Sequence, residues 1–210
     1  MKFDVKNTKY YLVFVVIIFA IFSLWHYTRK TNLNYPIREN LTGLPDISNI
    51  KLQYKKNNYT DVIRSQAEIM RQALIDGDYK TFIKYNYPKV IELMGGEKNL
   101  IQILEKSNTS GYKLIAVSLG DVSDVVSSGS QLQAVISQIV VVRVDDGNKH
   151  GRLLTKSSLV AISDDKGKNW TFVDTSGKNL DIIKSIIPSL SSKLVIPQMS
   201  QPVFYPSPSF

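Results

Sequence analysis

The chain has no cysteine, only two histidines, and neither a glycine-rich phosphate loop, a zinc-binding helix nor a nucleophile elbow. Without cysteine there can be no disulfide, thiol catalysis, cysteine-ligated metal or bacterial lipoprotein processing. His26 lies in an apolar stretch. His150 stands beside Gly151, close in sequence to Asp145 and Asp146, where aspartates are ordinary turn formers. No metal and no other cofactor is therefore expected. Acidic charge is also scarce: 18 Asp and Glu against 26 Lys and Arg leave a net charge of +8. The cations are spread along the chain and do not cluster with aromatics on one element, so nucleic acid is not an expected partner. A basic surface beside an anionic membrane is the plainer reading, and Lys51, Lys55 and Lys56 follow soonest after the apolar stretch.

Long apolar runs are scarce as well, which gives weight to the single one present. Between Lys9 and Arg29 the run YYLVFVVIIFAIFSLWHYT holds no acid, lysine or arginine. A hydrocarbon core about 30 Å thick needs roughly 20 apolar helical residues. Residues 10–28 are expected to form a single-pass transmembrane helix, with Tyr10 and Tyr11 at one water interface and Trp25 and Tyr27 at the other. The bulky, basic sequence after the run offers no small-residue cleavage site, which favours a retained signal-anchor over a removed signal peptide. Lys2, Lys6 and Lys9 in the short tail 1–9 resist translocation, whereas a long following domain crosses largely regardless of charge. The expected topology puts the N-terminus in the cytoplasm and the C-terminal domain in the periplasm or another extracytoplasmic space.

Residues 29–58 are polar, hold Pro36, Gly43 and Pro45, and keep no sustained period, so they read as a linker. If flexible, it spans roughly 30 Å. From Asp61, Ile63, Ala67, Met70 and Leu74 recur at helical spacing, with Thr60 or Asp61 as a cap and Gly77 as the stop. Asp78 caps a short second helix that turns Tyr79, Phe82 and Ile83 inward, and the Tyr87-Pro88 step ends it. A turn over Lys89–Met94, closed by Gly95-Gly96, precedes a helix over Glu97–Lys106 carrying Leu100, Ile101 and Leu104. After Gly111 the period becomes two. Strands are expected over Tyr112–Leu119, Gln131–Val144, Arg152–Ser163 and Trp170–Thr175, joined as antiparallel hairpins by aspartate-rich turns. The last of these turns, Ser163-Asp164-Asp165-Lys166-Gly167-Lys168-Asn169-Trp170, matches the Asp-box string of sialidases. There it recurs across propeller blades; the single copy here predicts only a tight aspartate-stabilised loop with Trp170 folded back onto the sheet.

Helices followed by long meandering strands predict an α+β domain over 59–177, helices packed on a curved antiparallel sheet. The run Ala73-Leu74-Ile75-Asp76-Gly77-Asp78-Tyr79, the Tyr87-Pro88 break, the Gly95-Gly96 turn and the hairpin Gly167–Asp174 resemble the nuclear-transport-factor-2-like superfamily. The resemblance implies a cone whose mouth can host a ligand or a catalytic pocket. It also implies three kinds of relative: isomerases, binding modules, and an assembly factor of bacterial type IV secretion that shares the layout of short tail, one span and outer domain. Residues 178–210 are expected to hold a short helix, Leu180–Ile187, broken by Pro188, then a proline-rich tail. That tail is either a frayed end or a docking strip anchored by Phe204, Tyr205 and Phe210.

Isomerases of that shape place an aspartate base opposite a tyrosine and a protonated acid in an apolar cavity. Asp174, after Phe172 and Val173 on a core strand, is the candidate pocket acid, with Tyr79 and Tyr85 as candidate partners; no catalytic set is recognisable. Three readings stand. The first is a non-enzymatic envelope protein, bound to the lipid bilayer, whose domain takes a protein partner, a second copy of itself or a small apolar ligand. The second is an enzyme or small-molecule carrier using the cone pocket, and the third an assembly component of a secretion apparatus.

Overall fold

The computed structural model describes residues 58–107, 111–145 and 150–207. The expected span 10–28, its interface residues Tyr10, Tyr11, Trp25 and Tyr27, and all of the linker before Asn58 lie outside the described residues, as does Phe210. Among the described residues no helix is long and apolar enough to cross a membrane.

Among the described residues four helices come first: α1 (Asn58–Asp76), α2 (Tyr79–Lys84), α3 (Pro88–Leu93) and α4 (Glu97–Ser107). The strands are β1 (Tyr112–Val122), β2 (Val126–Ser128), β3 (Gln131–Asp145), β4 (His150–Ser163) and β5 (Thr171–Asp174). A helix, α5 (Leu180–Ile186), and a strand, β6 (Val203–Pro206), come last among the described residues. The architecture is α+β, with all pairings within the curved sheet antiparallel: β1-β3-β4-β5 in order, β2 beside β3 and β6 beside β4.

α1 begins three residues before Asp61, which sits in its first turn, where a carboxylate favours the positive end of the helix dipole. Ile63, Ala67, Met70 and Ala73 are buried on its inner side. Asp78 caps α2 by accepting from Thr81 N at 3.1 Å, and the Thr81 side chain first and its backbone N–H second hold the carboxyl below the usual range. α4 turns Leu100, Ile103 and Leu104 inward; Ile103, one turn from both Leu100 and Ser107, takes the buried place expected for Ile101. The Tyr87-Pro88 break delivers backbone to the sheet, with Phe172 N donating to Tyr85 O at 2.7 Å and Tyr87 N to Phe172 O at 3.1 Å.

The Ser163–Trp170 loop forms as its string predicts. Ser163 Oγ bonds Asp165 Oδ1 at 2.9 Å, and Asp165 Oδ1 accepts from Lys168 N at 3.1 Å and Asn169 N at 2.9 Å. These bonds, those from Asn169 foremost, lower the Asp165 carboxyl to about 2. Gly167, at φ +85, presses against the Tyr59 ring, where any side chain would collide. Trp170 is buried and donates Nε1 to Gly167 O at 3.0 Å, and Gln66 of α1 bonds both Lys168 O and Trp170 N. A turn motif thereby becomes the joint between α1 and the sheet.

Two segments lie beyond what the sequence pattern predicts. β2 has only three residues, too few to show a period. β6 pairs with β4 from Gly151↔Pro206 to Leu154↔Val203, so the described part of the tail is an edge strand of the chain's own sheet. It fits because Gly151 has no side chain: a Cβ there would strike Tyr205 O and the Phe204 ring. Proline is tolerated at such an edge.

Candidate functional site

Alternation along the strands gives the sheet an inner face toward α1, α2 and α4, and an outer face. At the end where β1 begins, β3 ends and β4 begins, helices and inner face part to leave a cavity of about 150 Å³. Its walls are mostly apolar: Met70 and Leu74 of α1, Phe82 of α2, Leu104 of α4, Leu114, Val117 and Leu119 of β1, Val140 and Val142 of β3, and Leu153 and Leu159 of β4. Phe204 of β6 packs against Val142, Val144 and Leu153 and so reinforces this wall. A cavity of this volume holds about one aromatic ring, by comparison with a known apolar cavity of the same size that binds benzene.

The polar groups on the lining are few and mostly committed. Gln138 Nε2 bonds Ser157 Oγ at 3.0 Å, both buried. Asn86 Nδ2 donates to Phe82 O at 2.9 Å. Arg71 at the rim is paired through Nε with Glu68. Asp174 Oδ1 accepts from Ser176 N at 2.7 Å, an ordinary aspartate turn at the end of β5. Lys178 Nζ donates to the Asp174 backbone carbonyl at 2.5 Å. Burial brings the Lys178 ammonium down to about 8, against the opposing pull of the Asp174 charge.

Tyr79 and Asp174 therefore both line the cavity. Tyr85 does not: it packs against the main core, and its carbonyl is taken by Phe172 N. Asp174 is the one acid among the described residues of the lining, and the isomerase arrangement asks for a second. His150 Nδ1 bonds Asp145 Oδ1 at 2.9 Å in an exposed pair, and among the described residues no group of three or more potential ligands could hold a metal ion. Gln138, Thr155, Asn86, Arg71 and Tyr112 line the cavity without having been singled out in the sequence. A signal for two of them exists, because Gln138 and Thr155 interrupt the apolar inward positions of β3 and β4, and a polar gap in such a register marks a wall that faces something other than core.

No family model, no curated protein and no solved structure matches this chain.

Proposed function

We propose that the chain is a non-enzymatic envelope protein, tethered to a bilayer by residues 10–28, whose nuclear-transport-factor-2-like domain binds a small apolar ligand in the cavity between its helices and sheet. The observation that supports this reading most directly is an apolar cavity of about 150 Å³ with a single acid among the described residues of its lining, that acid engaged by a backbone amide. Apolar walls with a few fixed polar groups are the usual make-up of a small-molecule site, and the small volume limits the buried part to about one ring or a short alkyl chain.

The test is photo-crosslinking of the full chain in membranes with a one-ring diazirine probe, the labelled positions mapped by mass spectrometry. Labels should concentrate on residues 138–142 and 153–159 and should disappear in Val140→Phe, which fills the cavity. Labels that avoid these strands, or that persist in Val140→Phe, would overturn the assignment. Tyr79 and Asp174 on one lining are the observation that favours an enzyme or carrier as the second reading. A turnover abolished by Asp174→Asn in a folded chain would establish it over the first. The third reading, a component of a secretion apparatus, is tested by co-purification of membrane partners.

A further inference from the structure

Among the described residues, the outer face is covered at one end only. Over the β3 and β4 residues nearest the Ser163–Trp170 loop, Ile183, Ile186 and Ile187 pack on Val160, Ile162 and Val173. Over the other end, no described element covers it. There Lys113, Arg143 and Arg152 are direct cross-strand neighbours, Lys113↔Arg143 across β1 and β3 and Arg143↔Arg152 across β3 and β4. All three are exposed, and none forms an ion pair with another described residue. Directly opposed like charges on a sheet, with Cβ atoms about 5 Å apart, destabilise it. Three cations in line thus work against the fold that carries them, and an external anionic surface would remove that repulsion. Asp145, on the same face, is already engaged by His150.

The next row across the strands is apolar: Ala116↔Val141↔Leu154↔Val203, with Val203 48% exposed. Tyr205, opposite Arg152, is 44% exposed, and Lys156, opposite Ile139, adds a fourth cation. A basic row beside an exposed apolar row with a tyrosine at its edge matches the layered chemistry of a lipid surface, where headgroup charge lies over hydrocarbon. It does not match a single-stranded nucleic-acid site, which needs a series of stacking rings where this face has one.

We infer that this end of the outer face, centred on Lys113, Arg143 and Arg152, is a docking surface for an anionic bilayer. The inference rests on the tethered reading of residues 10–28, which keeps the domain within reach of the lipid, and the two fail separately. Because the chain lacks cysteine, a single cysteine introduced as Val203→Cys can carry an environment-sensitive nitrobenzoxadiazole label, with Ile69→Cys on the exposed side of α1 as the control. The full chain is reconstituted in vesicles of phosphatidylcholine alone or with phosphatidylglycerol. Emission at 203, and not at 69, should rise and shift to the blue only with the anionic lipid, and should revert in 0.5 M salt. Each neutralised cation should weaken the contact about fivefold, so the triple variant Lys113→Gln, Arg143→Gln, Arg152→Gln should weaken it about a hundredfold. Equal emission in both lipids, insensitivity to the triple variant, or a response to an acidic protein or oligonucleotide but not to the lipid would each overturn the surface. Alkaline carbonate extraction reads the tether alone: a chain that stays in the membrane with a silent 203 label refutes the docking surface and leaves the tether standing. A chain that washes out refutes the tether, and the surface is then decided by co-sedimentation with the same vesicles.

Discussion

β3 and β4 each run through two environments. Over Leu132–Ile136 and Leu159–Ile162 both faces are covered, by α1, α2 and α4 within and by α5 and the segment after it without. Over Ile139–Asp145 and His150–Lys156 the inner face borders a cavity and the outer face meets solvent with a row of cations. One continuous pair of strands is thus a double-sided core at one end and a surface-bearing wall at the other. A binding wall needs rigid support, and the covered end supplies it through fourteen consecutive register pairs without a bulge, Leu132↔Ser163 to Asp145↔His150. The described register of β1 shifts twice, at Leu114/Ala116 beside the cavity and at Leu119/Val122 where the cavity wall meets the covered end, and a break in register re-aims side chains.

If this division is right, equal deletions in the two ends have unequal costs. Val160→Ala removes the same two methyl groups as Val142→Ala, but from a fully buried position at the covered end where it opens a new void, so a loss of about 3 kcal/mol is expected in chemical denaturation. Val142→Ala enlarges an existing cavity and creates no new void; about 1 kcal/mol is expected. Equal losses would erase the distinction between the ends.

Lys178 stands where the two ends meet and makes the comparison sensitive to pH. Its folded value of about 8 lies below its ordinary 10.5, so between those values the unfolded chain binds the extra proton and stability rises with pH. Below about 8 the ammonium is charged in both states and the burial penalty is present in full. Relative to Lys178→Met, the native chain should gain on the order of 3 kcal/mol between pH 7.5 and pH 10.5. Parallel stability curves for the two would show that the ammonium is not buried. Asp165 works in the opposite direction, its contribution being lost only as pH falls through about 2.

The elements of the covered end were legible in the sequence because alternation and helical spacing report burial directly: Ile63, Ala67 and Met70 for α1, Leu132, Ala134 and Ile136 for β3. The aspartate caps and the Ser163–Trp170 string were legible for a second reason, since local hydrogen bonds made within four or five residues leave a local signature. The outer covering was not. Gln133, Ser128, Ser189 and Ser191 act across more than fifty residues, and a glutamine between leucine and alanine in a strand reads as a solvent position. The cation row was hidden for the same reason. Lys113, Arg143 and Arg152 are scattered in sequence, and only the register of three strands aligns them, which is why a basic composition without clusters was the natural reading of the chain.

Gln133 is where the covered end is fastened. It has no exposed surface; its Nε2 donates to Ser189 O at 3.0 Å and its Oε1 accepts from Ser191 N at 2.9 Å, while Ser128 Oγ donates to the same Ser189 carbonyl at 2.6 Å. One buried amide thus satisfies both backbone groups of the turn that leads from α5 to the tail. Gln133→Leu keeps the volume and removes both bonds together with the one to Gln131 Oε1, stranding a half-buried amide and weakening the hold on a carbonyl, a cost of about 1–3 kcal/mol. The loss should be local, because α5 also rests on Val160, Ile162 and Val173. Hydrogen exchange should therefore accelerate over residues 187–200 while β3 and β4 keep their protection. Uniform acceleration across the sheet would mean that the outer covering and the sheet unfold as one unit, and that the two ends differ in what faces them but not in how firmly they hold.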